Sequence, residues 1–253
     1  MRSYRFKTPS EAYLYLLADV LDNPEYISSP RGMKTYEVTD YSFSIEQPSC
    51  EPIVTLDEER NKIIADYGKR EKALYRTMTR STEDFGKLSK FWTKLDNGDG
   101  TINSSYYYLL RGLADHGDPV LEAQRHNGVG IYRTPWDWAK TCLMEDKDTR
   151  QAIMRISRPE HQWSGCRDQP CTTHLNWLIR DNKLNLTTVM RSNDLVKGTV
   201  WDLSFFMSLM PEMLEELKST YADLEIGTYS HFAHSLHIYD SNMNVILKMI
   251  GRS

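Results

Sequence analysis

The sequence predicts a mixed α/β (α+β) layer fold built on one β-sheet flanked by helices, and three observations predict it. Apolar residues recur at helical spacing in some segments and alternate at strand spacing in others, and the two kinds interleave along the chain. Residues 172–180 and 184–191 read as strands on either side of Asp181-Asn182-Lys183, the pattern of a β-hairpin. The 253 residues hold no Pro/Gly/Ser-rich linker, no low-complexity run and no fixed repeat, so residues 1–253 read as a single domain.

Pro9-Ser10-Glu11 opens a helix carrying Leu14, Leu16, Leu17, Val20 and Leu21, and Asn23-Pro24 closes it. A loop through Ser28-Ser29-Pro30-Arg31-Gly32 leads to residues 34–46, where Tyr36, Val38, Tyr41, Phe43 and Ile45 mark a bent strand. Residues 57–80 read as a long helix, charged over most of its surface. Residues 83–95 read as another, with Phe85, Leu88 and Trp92 on one stripe. Asn97-Gly98-Asp99-Gly100 is a turn, and residues 106–114 a short helix. Pro135-Trp136-Asp137-Trp138 begins a helix that ends near Met144, and residues 151–158 read as a strand ahead of the hairpin. Residues 201–221 are helical with a break or kink required at Pro211, and residues 227–239 form a last strand.

Composition narrows the function. Hydrophobic residues at 40% and aromatics at 11% suffice for a sizeable core and exclude a disordered chain. The net charge is −4 and the basic residues are scattered, which argues against a polynucleotide ligand; a mononucleotide needs only a few arginines. Residues 1–7 lack the apolar core of a signal peptide, and no apolar run approaches a membrane span, so a cytoplasmic protein is expected. Four cysteines in a chain this long suit a reducing compartment better than a disulfide scaffold.

The chemistry concentrates in Pro170-Cys171-Thr172-Thr173-His174, in Arg191-Ser192-Asn193-Asp194 and in Asp202. Cys171 stands at a strand mouth, and Arg167 and Arg191 are cations that favour a thiolate; a free cysteine is, however, more often a small buried hydrophobe. Arg191-Ser192 offers a guanidinium fork and a hydroxyl to a phosphate, or is simply a solvated strand end. Glu71, between Arg70 and Lys72, reads alone as part of a charged helix face. Trp92 reads as core, and His237 with Tyr239 as one face of a strand end. No metal site is expected. His161, Cys166, Cys171 and His174 lack the close cysteine pair of a structural zinc site, and aligning Gly100 with the glycine of a calcium loop leaves Tyr106 where a glutamate belongs.

Taken in order, these segments resemble the thymidylate synthase superfamily, and most closely its phage-type deoxycytidylate hydroxymethylase branch. The resemblance is carried by Asp148-Thr149-Arg150, Ile153-Met154, Arg158-Pro159, Cys171-Thr172, Trp177-Leu178-Ile179-Arg180-Asp181 and Met190-Arg191-Ser192-Asn193-Asp194 with Gly198. Lys34-Thr35, Arg70-Glu71, Trp92, Gly100-Thr101-Ile102-Asn103-Ser104 with Tyr106, and Ser235-Leu236-His237-Ile238-Tyr239 extend it over most of residues 31–239. It implies a thymidylate synthase-like fold and a homodimer formed through the sheet.

The resemblance also implies roles. Cys171 is the nucleophile for C6 of a pyrimidine, which activates C5. Arg191 and Ser192 hold the 5′-phosphate, Arg150 reaches across from a partner subunit, and Arg31 lies near a further phosphate arginine. His237 and Tyr239 contact the sugar, Tyr106 belongs to the substrate site, and Glu71 handles protons through water. Trp92, Asp194 and Gly198 border 5,10-methylenetetrahydrofolate. Gln151 stands where the family has a second arginine, and Lys197 and Thr199 flank Gly198 where apolar residues are commoner. Only residues 240–253 follow Tyr239, fewer than the family's closing tail normally has.

Asp202 selects the base in this reading. The family's thymidylate synthases carry an asparagine there, matched to N3–H and O4 of uracil. A carboxyl group instead accepts from the N4 amine of cytosine and, when protonated, donates to N3. The plain alternative is an aspartate at a helix N-terminus. The function expected is therefore conversion of dCMP to 5-hydroxymethyl-dCMP for modified DNA precursors, in host cytoplasm if the chain is virus-encoded, with association with viral nucleotide-synthesis enzymes as a further expectation. A dCMP C5-methyltransferase, a CMP-specific hydroxymethylase and a catalytically silent nucleotide-binding relative are the alternatives.

Overall fold

Thr8 accepts a hydrogen bond from the Glu11 N–H at 3.3 Å and Pro9 occupies the first turn, so helix α1 (Pro9–Asp22) starts where the sequence places it. The computed structural model describes residues 1–112 and 134–252. The other helices are α2 (Glu58–Arg76), α3 (Thr82–Leu88), α4 (Tyr106–Arg111), α5 (Pro135–Glu145), α6 (Val200–Leu217) and α7 (Met243–Met249). The strands are β1 (Arg2–Phe6), β2 (Tyr26–Ser28), β3 (Thr35–Ile45), β4 (Ile153–Arg155), β5 (Thr172–Arg180), β6 (Lys183–Met190), β7 (Asn193–Asp194) and β8 (Glu225–Tyr239). Among the described residues they make one mixed sheet in the order β1-β3-β8-β6-β5-β4, with β2 beside β3 and β7 beside β8.

Strand β8 lies between the two halves of the sheet, antiparallel to β3 and parallel to β6. Alternation sets the faces. Val38, Tyr41, Phe43 and Ile45 of β3, Leu175, Trp177 and Ile179 of β5, Leu184 and Leu186 of β6, and Tyr229 and Ala233 of β8 are buried. They join one core with Leu16, Leu17 and Val20 of α1 and the apolar residues of α6. Every residue from Leu203 to Met210 is buried, so that stretch of α6 is enclosed on all sides. The alternate positions, among them Asn176, Leu178, Thr187, Val189 and Phe232, are half-exposed.

The expected mixed sheet flanked by helices is present, with four local corrections. The helix predicted over residues 83–95 is two pieces: α3 stops at Ser89, whose backbone is extended, and a 3₁₀ turn Trp92–Leu95 follows. Pro211 does not break α6, because eleven buried residues hold that helix in the core while the proline itself is exposed. The strand predicted over residues 151–158 is only Ile153–Arg155. Strand β1, which pairs parallel with β3, was not expected. The last two residues of the helix predicted over 106–114 lie outside the described residues.

The hairpin turn is the clearest local match. Asp181 and Asn182 take φ values of +50° and +58°, the left-handed pair that a two-residue turn requires and that Asp and Asn tolerate. At the opposite end of the hairpin the β5–β6 register shifts between Thr172 and His174, a bulge directly after Cys171.

Candidate active site

Cys171 is positioned by backbone on one side and an arginine on the other. The loop before it is pinned by buried Asp168, whose carboxylate accepts from the N–H groups of Asn103 (2.6 Å) and Ser104 (2.7 Å) and from the Ser104 hydroxyl (2.5 Å). Across the hairpin, the Arg191 N–H donates to the Cys171 carbonyl at 2.8 Å. The Arg191 guanidinium donates to the carbonyls of Pro170 (3.2 Å) and Gln169 (2.7 Å), and its Nη2 lies 3.6 Å from the Cys171 Sγ. Burial pushes the Cys171 thiol up; Arg191 opposes this, while Asp202, Asp168 and Asp194 add to it. In the free protein the sulfur is therefore a thiol beside a cation, half-exposed at the strand mouth.

After Arg191 and Ser192 the chain forms β7 against β8, with Asp194 opposite His237. Asp194 then caps a turn of π-helix (Leu195–Thr199), its Oδ1 accepting from Val196 N at 2.8 Å and Lys197 N at 3.2 Å. Such turns are frequent at functional sites because they displace a helix face by one residue. This one runs straight into α6 and places Asp202 in the first helical turn. The helix N-terminus and the site coincide at that residue, so the two sequence readings of Asp202 do not compete.

Two carboxyl groups lie within electrostatic reach of each other there. Glu71 of α2 is 7% exposed, and burial together with the charge of Asp202 raises it from the ordinary 4.5 to about 8, with the Tyr67 hydroxyl acting the other way. Burial raises Asp202 to about 6, helped by Asp194 and opposed by the hydrogen bond from Asn193. At pH 7 the proton of the pair resides on Glu71, and Asp202 is mostly the anion. Burial thus moves Asp202 toward the protonated form that donates to N3, without making it the main form at pH 7. Paired carboxyls with separated pKa values are the arrangement used for acid and base roles in one site.

Other residues singled out in the sequence converge on the same place. Tyr106 is buried against Phe205 and Phe206, and burial first, then Asp202 and Cys171, push its hydroxyl well above the usual value. Tyr239 is raised by burial, and Asp194, Arg31 and Cys171 are all within its electrostatic reach. Its ring stands perpendicular to that of buried His237, with centroids 5.3 Å apart. Arg31 is exposed on a 3₁₀ turn and has φ +53°. Ser192 is half-exposed beside Arg191.

Arg150 is exposed ahead of β4 and makes no hydrogen bond or ion pair with the described residues; this chain alone does not bring it to Cys171. Trp92 is nearly buried against Phe85, and its Nε1 donates to the Tyr67 hydroxyl at 2.9 Å, so it meets the site through Tyr67.

Three residues without an assigned role in the sequence reading belong here. Tyr67 connects Trp92 with Glu71 and stacks 4.3 Å from Trp201. Asn193 donates from Nδ2 to Asp202 Oδ2 at 2.9 Å, and the Thr199 hydroxyl donates to Asn193 Oδ1 at 2.6 Å. Asn193 stood inside the motif Arg191-Ser192-Asn193-Asp194, which was the available signal. The sequence marked Thr199 only as a polar departure beside Gly198; its contact depends on the π turn.

Residues 11–253 match the thymidylate synthase family. The chain belongs to that family. Among curated proteins this family member is 24% identical to the deoxycytidylate 5-hydroxymethyltransferase of Enterobacteria phage T4, over 89% of the chain and 84% of the relative. It is 23% identical to the deoxyuridylate hydroxymethyltransferase of Bacillus phage SP01, over 94% of the chain and 59% of that relative. The solved structure of thermostable thymidylate synthase A from Bacillus subtilis superposes with a TM-score of 0.69 at 18% identity, covering 96% of this chain and 84% of that one. The thymidylate synthase-like fold is thus present. No described helix is long and apolar enough to cross a membrane.

A Cβ built on Gly198 would lie 3.2 Å from both Asn193 Nδ2 and Asp202 Oδ2, so the bare glycine lets those two side chains approach the backbone closely. Asp194 commits Oδ1 to the π turn and leaves Oδ2 without a partner among the described residues. These groups fit the folate that members of the family use.

Proposed function

We propose that the protein is a dCMP 5-hydroxymethyltransferase. The observation that carries the reading is the carboxyl group of Asp202, which lies within electrostatic reach of both Cys171 and Glu71. An amide in that place matches uracil; a carboxyl matches cytosine, accepting from the N4 amine while sharing one proton with N3. The name of the T4 relative adds cytosine as its substrate, and both phage relatives carry hydroxymethyltransferase in their names.

In this reading Arg191 and Ser192 hold the nucleotide 5′-phosphate, with Arg31 near its edge, and His237 and Tyr239 hold the sugar. The Cys171 sulfur adds to C6, and a proton shared between Asp202 and N3 draws electrons from the ring and eases that addition. Bound 5,10-methylenetetrahydrofolate supplies the one-carbon unit, with Trp92, Asp194 and Gly198 at its border. Glu71, protonated at pH 7, delivers and recovers protons through water at C5 and its substituent. Water then completes the hydroxymethyl group, and expulsion of the Cys171 thiolate from C6 restores the aromatic ring. A second copy docked on the half-exposed face of the sheet would bring the partner subunit's Arg150 to the phosphate.

The test is incubation with dCMP, CMP and dUMP in turn, each with methylenetetrahydrofolate, and mass spectrometry of the products. Hydroxymethyl-dCMP as the main product is the expected result. Methyl-dCMP with dihydrofolate formation, hydroxymethyl-CMP, or a dUMP product would replace the reading with the corresponding alternative. Nucleotide binding without release of tritium from C5 would leave a silent relative.

A further inference from the structure

Beside Asp202 lies a hydrogen-bond relay that the steps above do not use. The Thr199 hydroxyl donates to Asn193 Oδ1 at 2.6 Å, and Asn193 Nδ2 donates to Asp202 Oδ2 at 2.9 Å. Thr199 and Asn193 are buried, at 0% and 2% exposure, so neither exchanges its partner with water. The Asp194 carbonyl, 3.2 Å from the same hydroxyl, competes for its proton from a longer distance, and the 2.6 Å contact to Asn193 is the better placed acceptor. A hydroxyl that donates to the amide oxygen turns the amide N–H₂ toward the carboxyl. Gly198 adds the clearance: with a Cβ in its place, Asn193 Nδ2 and Asp202 Oδ2 would each sit only 3.2 Å from that carbon.

We propose that Asn193, oriented by Thr199, is a positioning residue for base selection: it holds Asp202 in one rotamer with Oδ2 as acceptor and Oδ1 as the oxygen that exchanges a proton with the ring. The inference rests on the dCMP reading and adds to it the cause of the carboxyl's orientation. A carboxyl group free to rotate would present either oxygen, protonated or not, and would discriminate poorly between a ring edge that offers N4–H₂ and one that offers O4. Asn193 fixes one arrangement by occupying Oδ2 with a donor. The remaining lone pair of Oδ2 then accepts from the amine while Oδ1 meets N3. The other ionisable groups in reach of Asp202 come from different elements: Tyr67, Glu71 and Tyr75 of α2, Tyr106 of α4, Cys171 at the mouth of β5, Asp194 of β7 and Tyr229 of β8. They act through charge and burial; among the described residues the directional bond to the Asp202 carboxyl comes from Asn193.

The experiment is the ratio of kcat/KM for dCMP to that for dUMP, measured with methylenetetrahydrofolate for the wild type and for Thr199→Val, Thr199→Ser and Asn193→Leu. Thr199→Val keeps the side-chain shape and removes the hydroxyl, so the ratio falls about tenfold, the worth of one net hydrogen bond. Thr199→Ser restores the hydroxyl and with it the ratio. Asn193→Leu lowers the ratio by roughly 10²-fold, since a buried carboxyl loses the directional donor it has among the described residues. Calorimetric Kd values for dUMP, expected within about twofold of wild type on the net worth of a contact that dUMP does not use, report on folding of the variants. A wild type that prefers dCMP, with the preference unchanged in Thr199→Val and Asn193→Leu, overturns the relay and spares the dCMP reading. Equal losses on both nucleotides, or no rescue by Thr199→Ser, mean a structural role and overturn it as well. A wild type that prefers dUMP overturns both.

Discussion

Arg191 meets Cys171 twice, through a 2.8 Å backbone hydrogen bond across the hairpin and through a guanidinium nitrogen 3.6 Å from the sulfur. The first contact fixes where the Cys171 sulfur stands; the second moderates the penalty that burial imposes on its anion. One residue therefore couples the phosphate end of the proposed nucleotide site to the reactivity of the thiol.

Arg191→Ala raises the Cys171 pKa, since the guanidinium is the group that opposes burial there. The alkylation rate of Cys171 by iodoacetamide, followed against pH, should shift to higher pH in the variant. KM for the nucleotide should rise by roughly 10–10²-fold as a charge-assisted contact is lost.

Cys171→Ser removes the sulfur while the Asp168 clamp on the preceding loop remains. Turnover should fall by roughly 10⁴–10⁶-fold, as loss of a covalent nucleophile does elsewhere. Tritium release from C5 of the nucleotide is the sensitive measure; undiminished release would remove Cys171 from the chemistry.

Asp202→Asn replaces an acceptor edge with an amide and should move preference from dCMP toward dUMP by roughly 10–10²-fold, the discrimination expected of a bidentate contact to a base. Competition between the two nucleotides measures it directly.

Glu71 makes stability depend on pH. It ionises near 4.5 in the unfolded chain and near 8 in the fold, so its contribution is complete below about pH 4.5 and is lost as pH rises to about 8. Glu71→Gln should flatten that slope and make the protein more stable than wild type at pH 8, by on the order of a few kcal/mol. Activity should drop about 10²–10⁴-fold if Glu71 is the acid and base. Thermal melts at pH 5 and pH 8 check the first statement and turnover checks the second.

The long alternating segments were legible because their signal is local. The hairpin strands β5 and β6 fall within a residue of their predicted limits, with Asp181-Asn182 supplying the turn. Strand β1 was not legible: residues 2–6 carry only Tyr4 and Phe6 as apolar markers, and what makes the strand is parallel pairing with β3, some forty residues away. Pro211 misled for a related reason. Its local cost is a lost helix hydrogen bond and a ring clash, and the burial of eleven α6 residues outweighs it. At the site, the motif order indicated which residues to examine: Arg191, Asp202, Tyr106 and Tyr239 each act on or feel Cys171, and Glu71 joins them through Asp202. The Thr199–Asn193–Asp202 contacts could not be read, because they depend on a π turn that no apolar periodicity announces.

The central place of β8 has a consequence for how the molecule is made. Residues 225–239 are synthesised after every other described strand of the sheet, yet they join the β3 side to the β6 side. Until they arrive, the nascent chain carries two unjoined strand edges of the kind that invite aggregation. Slow maturation governed by contacts distant in sequence, and a gain in yield from chaperones at high expression, are what this topology demands.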